Sequence, residues 1–132
     1  LLLGKNWEAY ERFIEIRDLQ GFTYVEAPYS EYPAFYQQMD TFVSASRLEG
    51  GPIPLIESMM CNVIPVVSQT GFAPSFIEHG SNGFLFDTGA SVGDITLMID
   101  QAAEMTTNVR PTVLEYSWRK FAEKVFRYCD PS

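Results

Sequence analysis

The stretch TFVSASRLEGGPIPLIESMMCNVIPVV, residues 41–67, decides the fold. Residues 41–44 read as a strand, of β-branched and aromatic types closed by a serine. A Gly/Pro loop follows through Pro52. Pro54 opens the next element, because the first turn of a helix has no use for the N–H that proline lacks. The spacing predicts a helix from Pro54 to about Cys61. Residues 64–67 are nearly all apolar and β-branched, the composition of a parallel strand covered on both faces. Strand, loop, helix and strand of these lengths make a βαβ unit with a right-handed crossover.

The alternation continues on both sides. Upstream, residues 1–3 read as a short buried strand ended by Gly4. Asn6 reads as the cap of a helix whose Trp7, Tyr10, Phe13 and Ile14 recur at helical intervals, stopped by Gly21. Residues 22–25 form a second strand. Pro28 breaks it, and Ser30 opens a short helix carrying Tyr32, Phe35, Tyr36 and Met39. Downstream, helical turns are predicted from about Pro74 to Glu78, closed by His79-Gly80, and residues 84–86 make a last strand. Beyond Asp87 only helices are expected. Ser91-Val92-Gly93-Asp94 reads as a capping box before the apolar stripe Ile95, Met98, Ile99, Ala102 and Met105. Pro111 begins a short turn. Ser117 caps a final helix whose Trp118, Phe121, Ala122, Val125 and Phe126 read as core packing.

These elements describe an α/β chain with a doubly wound, mostly parallel sheet and a helical part over residues 91–132. Ligands of such sheets lie beyond the carboxyl ends of strands, where the winding reverses. The connection from Gln37-Gln38-Met39 to the third strand is where the winding can reverse, so the loops after Ser44 and Ser68 are the places to search.

Composition narrows the function. A chain of 132 residues has room for one modest core, and 46% hydrophobic with 20% charged residues belongs to a globular domain. Nine Lys plus Arg against seventeen Asp plus Glu give a net charge of -8. That argues against nucleic acid and anionic membrane as partners, both of which call for a basic face. It does not argue against a nucleotide, whose phosphates a few backbone N–H groups can hold. Cys61, Cys129 and the single His79 supply neither a disulfide framework nor a zinc set. No stretch approaches the length of a membrane span or has the pattern of a signal peptide, so a cytoplasmic setting is expected. The chain opens on Leu1-Leu2-Leu3-Gly4, with no Met and with an apolar strand at its first residue, which reads as a piece of a longer protein.

The chemistry-bearing residues sit in the loop and helix after residue 44. Gly50 and Gly51 allow backbone to approach a ligand closely, Glu49 stands just before them, and Glu57 lies on the helix that follows. Two readings of the acidic pair stand side by side. Glu49 is a solvated loop residue and Glu57 complements the positive end of its helix. Alternatively, both carboxylates accept hydrogen bonds from ligand hydroxyls, a sugar at Glu49 and a ribose diol at Glu57, with phosphates between them near backbone N–H groups and the helix start. The dinucleotide fingerprint GxGxxG does not occur.

The run from Glu49 to Glu57 resembles the E-x7-E motif of the GT-B glycosyltransferases, in particular the retaining, GT4-type group 1 family. The likeness continues through Ser58-Met59-Met60-Cys61-Asn62-Val63-Ile64-Pro65-Val66-Val67-Ser68, then Gln69-Thr70-Gly71-Phe72-Ala73-Pro74, then His79-Gly80-Ser81-Asn82-Gly83-Phe84-Leu85-Phe86. Tyr36, Met39-Asp40 and Ser117-Trp118 also fall at positions commonly aromatic or acidic in that family. Four blocks in order cover nearly the whole chain.

The resemblance implies a partial nucleotide-sugar donor-binding domain over residues 1–132, of the GT-B C-terminal type and lacking its first strand and helix. It implies Glu49 as the catalytic residue at the transferred sugar and Glu57 at the ribose. Gly50, Gly51 and Gly71 would lie at the donor sugar or phosphates. The implied reaction retains anomeric configuration and releases a nucleoside diphosphate, with no cofactor and no metal. The acceptor would bind through an N-terminal domain outside these residues, and peripheral membrane contact is expected only through such outside parts. Pro52 replaces a residue whose amide the family often offers, and no acid follows Pro74 directly. The Arg and Lys that the family's first strand and helix bring to the diphosphate have no counterpart in Lys5 or Arg47, and His79 reads as a capping or surface residue. With the family strand order 3-2-1-4-5-6, omission of the central strand divides the sheet into two halves. A nucleotide-sugar epimerase or hydrolase on the same fold, and a non-catalytic sugar-nucleotide-binding domain, are the alternative functions.

Overall fold

The computed structural model describes residues 1–129. The last three residues of the expected helical part, 130–132, lie outside the described residues. The chain divides into two compact units, Leu1–Phe35 and the remainder from Tyr36. Its strands form two separate parallel sheets, the division expected from the strand order when the central strand is omitted.

In the first unit β1 (Leu2–Leu3) pairs in parallel with β2 (Tyr24–Val25), Leu2 opposite Tyr24 and Leu3 opposite Val25. Between them lie a 3-10 turn (Trp7–Ala9) and the short helix α1 (Phe13–Arg17). The expected continuous helix from Asn6 to Gly21 is not formed. Asn6 has φ 63 and ψ 17, a left-handed conformation, whereas an N-cap needs extended backbone, and its side chain caps nothing. Tyr10 is extended and interrupts the run. Of the expected apolar face only Phe13 is buried, edge-on to Phe22 and Tyr24 at 6.3 and 5.1 Å. The side of Tyr24 is tied down by polar contacts: its O–H donates to Glu26, and the Asn6 N–H donates to the same oxygen at 3.0 Å.

Ahead of the second unit a 3-10 turn (Tyr29–Glu31) leads into α2 (Tyr32–Tyr36), so the predicted helix ends before Met39. The second unit holds β3 (Thr41–Ser44), α3 (Ile53–Met60), β4 (Ile64–Ser68), β5 (Phe84–Phe86) and α4 (Val92–Ala103). The sheet order is β3-β4-β5, all parallel, with Ser44 opposite Val67 and Ser68 opposite Phe86. All five residues of β4 are buried, as its composition predicts. Leu55 and Met59 of α3, Ala102 of α4 and Val109 and Val113 beyond it complete the core around Val66 and Val67. Ile95, Met98, Ile99 and Met105 pack partly buried against it, so the predicted stripe of α4 is the packing face. Ser91 and Asp94 form the expected capping box.

The end of α3 is built by Asn62, with φ 65. The Val63 N–H reaches the Ser58 carbonyl at 3.0 Å and the Asn62 N–H the Met59 carbonyl at 2.9 Å, a Schellman closure with asparagine where glycine is common. The Asn62 Oδ1 also accepts from the Val109 N–H at 2.8 Å, tying the helix end to the 3-10 segment Arg110–Tyr116. In place of the predicted helical turns at 74–78 there is one 3-10 turn, Ala73–Ser75. The chain that follows is held by Asn82, whose amide donates to the Phe76 carbonyl and whose oxygen accepts from the Glu78 N–H.

The last helix, α5 (Trp118–Cys129), departs most from expectation. Ser117 caps it through the Lys120 N–H at 3.3 Å, as predicted, but none of its residues is buried. Trp118 is 67% and Phe126 72% exposed, and Phe121 and Val125 are exposed too. These side chains are not core. The spacing had given the apolar face correctly, but periodicity cannot say whether anything covers such a face.

Candidate functional site

The two loops singled out by topology leave the adjacent ends of β3 and β4 and touch each other. Gly71 has φ +54, and a Cβ there would lie 3.0 Å from the Glu49 carbonyl oxygen and 3.2 Å from Pro52 Cδ. Gly51 lies under the ring of Phe72, and a Cβ added to it would stand 2.4 Å from the ring edge. Phe72 in turn meets Phe76 edge-on at 5.1 Å, and Phe76 meets Tyr116 at 4.6 Å. Glu49, Gly51 and Gly71 are therefore brought together. Gly50 is exposed with open space where a side chain would be.

Glu49 is half-buried and fixed by a chain of hydroxyls. The Ser46 Oγ donates to Glu49 Oε1 at 2.7 Å. The Ser68 Oγ, at the end of β4 and 2% exposed, donates to the Ser46 carbonyl at 2.6 Å. Its single proton is thereby committed, so the Thr70 hydroxyl 3.2 Å away is the donor in their contact. Glu57 lies on α3, where the buried Tyr36 donates its O–H to Glu57 Oε2 at 3.0 Å. One turn further on, burial pushes the Cys61 thiol above its usual pKa; the positive charge of Arg110 opposes this and the Glu57 carboxylate adds to it.

At the start of α3 the backbone amides already have partners. The Ile53 N–H is taken by the Gly51 carbonyl at 2.9 Å, the Leu55 N–H by the Pro52 carbonyl at 3.0 Å, and Pro54 has none. Among the described residues the amides of Gly50 and Gly51 donate to no protein acceptor, so the open donors lie in the loop and not on the helix. His79, expected as a capping or surface residue, is exposed and follows no helix: its Nδ1 lies 3.0 Å from the carbonyl oxygen and 3.1 Å from the amide of Leu85. Ser46, Ser68 and Phe72 were not singled out from the sequence. The S-x-x-E spacing of Ser46 and Glu49 was a signal for the first of them, since it is the spacing at which the two side chains meet in a tight turn.

Residues 5–119 match the family described as glycosyl transferases group 1. The chain belongs to the glycosyl transferases group 1 family. The match contains both loops, Glu49 and Glu57, and stops at the start of α5. Among solved structures, a chain described as the crystal structure of TarM superposes on this glycosyltransferase-family chain with a TM-score of 0.70 at 22% identity. The alignment covers 94% of this chain and 26% of that one, so the residues described correspond to about a quarter of the other protein's length. At that identity the likeness concerns the fold, the open Rossmann-like arrangement of the group 1 transferases. No match to a curated protein was found. Among the described residues no group of three or more His, Cys, Asp or Glu side chains could hold a metal ion, and no helix is long and apolar enough to cross a membrane.

Proposed function

We propose that residues 1–132 are the donor-binding portion of a retaining, GT4-type GT-B glycosyltransferase, which transfers a sugar from a nucleotide-sugar to an acceptor held by parts of the protein outside this chain. The observation that carries this reading is the junction of the loops after β3 and β4. There Gly71 lies against Glu49, and Glu49 is fixed beside two glycines whose amides are open. Membership of the glycosyltransferase family supplies the reaction class.

In this reading Glu49 accepts hydroxyls of the transferred sugar and stabilises charge at the reacting carbon. The Gly50 and Gly51 amides face the phosphates, and Gly71 allows the close wall behind them. Glu57, whose Oε2 accepts from Tyr36, accepts the ribose diol. The donor needs no metal, as the family resemblance implies.

The test compares two isosteric variants in the full-length protein. Glu57→Gln weakens binding of the bare nucleoside diphosphate roughly ten- to a hundredfold, the loss of charge-assisted bonds to the diol, about 1.5 to 3 kcal/mol. Glu49→Gln leaves that binding within about twofold but lowers turnover about a hundred- to a thousandfold, the scale of one transition-state electrostatic contact. Calorimetry and release of nucleoside diphosphate read the two effects. Equal affinity loss in both variants contradicts the division of roles, and unchanged turnover in Glu49→Gln removes it from catalysis. Product anomeric configuration by NMR tests retention, and activity that survives a chelator tests metal independence.

A further inference from the structure

We infer that Ser46 is the positioning residue of Glu49, and that Ser68 sets it there. The inference deepens the proposed function and rests on its assignment of Glu49. A glutamate on a glycine-flanked loop has three rotatable side-chain bonds, so its carboxylate samples many directions unless something restrains it. Here one oxygen is restrained. Ser46 donates to Oε1 at 2.7 Å, a charge-assisted bond of the short kind, and so leaves Oε2 as the oxygen presented to a ligand hydroxyl.

Ser46 can do this because its own backbone is held. Its carbonyl is pinned at 2.6 Å by the buried Ser68 hydroxyl at the end of the central strand. With its proton committed to Ser46, the Ser68 oxygen is left to accept from the Thr70 hydroxyl 3.2 Å away. Gly71, the next residue, stands so close to the Glu49 carbonyl that an added Cβ would lie 3.0 Å from its oxygen. The rigid strand β4 thus reaches Glu49 by two routes, through hydroxyls to the side chain and through Gly71 to the backbone. Arrangements of this kind hold a reacting group in its productive geometry.

The chemistry separates Ser46 from a residue that merely keeps the loop folded. Only the hydroxyl matters, so Ser46→Thr, which keeps it, and Ser46→Val, which has the same shape without it, should differ. The experiment uses the full-length protein with UDP-glucose, GDP-mannose and ADP-glucose as donor probes, reading release of nucleoside diphosphate and, separately, calorimetric binding of UDP, GDP and ADP. Ser46→Ala and Ser46→Val are expected to lower kcat roughly ten- to a hundredfold, the scale of a lost hydrogen bond to a charged group, with nucleoside diphosphate affinity within about twofold. Ser46→Thr stays within about threefold of the parent. In the Glu49→Gln background Ser46→Ala adds no further loss, because the group it orients is already disabled.

Losses that multiply in the double variant, or equal turnover in the Thr and Val variants, overturn the positioning role while the reading of Glu49 stands. A parent that consumes none of the donors, or a Glu49→Gln variant as active as the parent, overturns the proposed function and the role of Ser46 with it. If Ser46→Ala lowers the melting temperature, the Thr and Val pair carries the comparison on its own.

Discussion

At Gly51 an added methyl group would stand 2.4 Å from the Phe72 ring, far inside carbon–carbon contact distance. Gly51→Ala should therefore destabilise the folded protein by about 1 to 3 kcal/mol, as overpacking does, because the ring must leave its contact with Phe76. Phe72→Ala in the same chain should remove most of that penalty, and a denaturant cycle over the four proteins reads the coupling. Losses that simply add would mean that Gly51 moves instead of the ring. Tyr24 and Glu26 set a second residue-scale expectation. Desolvation first, then the hydrogen bond to Glu26, push the Tyr24 phenol up to about 12, while that bond holds the Glu26 carboxyl below its ordinary value. The neutral phenol stabilises its unit below the ordinary tyrosine pKa of about 10, and the contribution fades as pH rises towards 12. The carboxylate stabilises it above the ordinary glutamate pKa and loses that contribution as pH falls through its lowered folded value. Ultraviolet titration should find Tyr24 ionising well above pH 10, and Glu26→Gln should bring it down. If Glu26→Gln leaves the tyrosine titration unchanged, the bond does not persist in solution.

Among the elements, α4 and α5 mark what local sequence can and cannot specify. The box of Ser91 and Asp94 spans four residues, so everything it needs is in the sequence that forms it. Ser91→Ala should cost about 1 kcal/mol by thermal or denaturant unfolding, and a shift below the error of the measurement would mean that the helix start is held by packing alone. The buried strand β4 was legible for a similar reason, since an unbroken apolar run fits few other places. The helix expected from Asn6 was not, because periodicity reports which positions could share a face and is silent about a left-handed Asn6 or an extended Tyr10. In α5 the apolar face was legible and its exposure was not, since burial depends on what lies opposite in space. At the site, Glu49 and Glu57 stood out as carboxylates in a glycine-rich setting. Ser68 and Phe72 act through contacts twenty or so residues away in the chain, which no local pattern encodes, whereas Ser46 stands only three residues before Glu49.

On the scale of the whole molecule, the two units differ in how much they bury. The first has only Phe13 and Ala27 as buried apolar residues, while the second has a continuous core from Leu55 to Val113. Local opening free energy follows buried contacts, so amide exchange should be slowest at Val66 and Val67 and at least about tenfold faster at Leu2 and Val25. Equal protection in both sheets would mean that the first unit is stabilised by something other than its own core. The order of the larger sheet has a further consequence, for the way the chain is made. Its strands lie side by side in the order in which they occur along the chain, β3, then β4, then β5. A ribosome delivers the amino-terminal part first. β4 and β5 therefore each emerge to find their earlier neighbour in this sheet already synthesised, and β3 pairs as soon as the very next strand, β4, follows it.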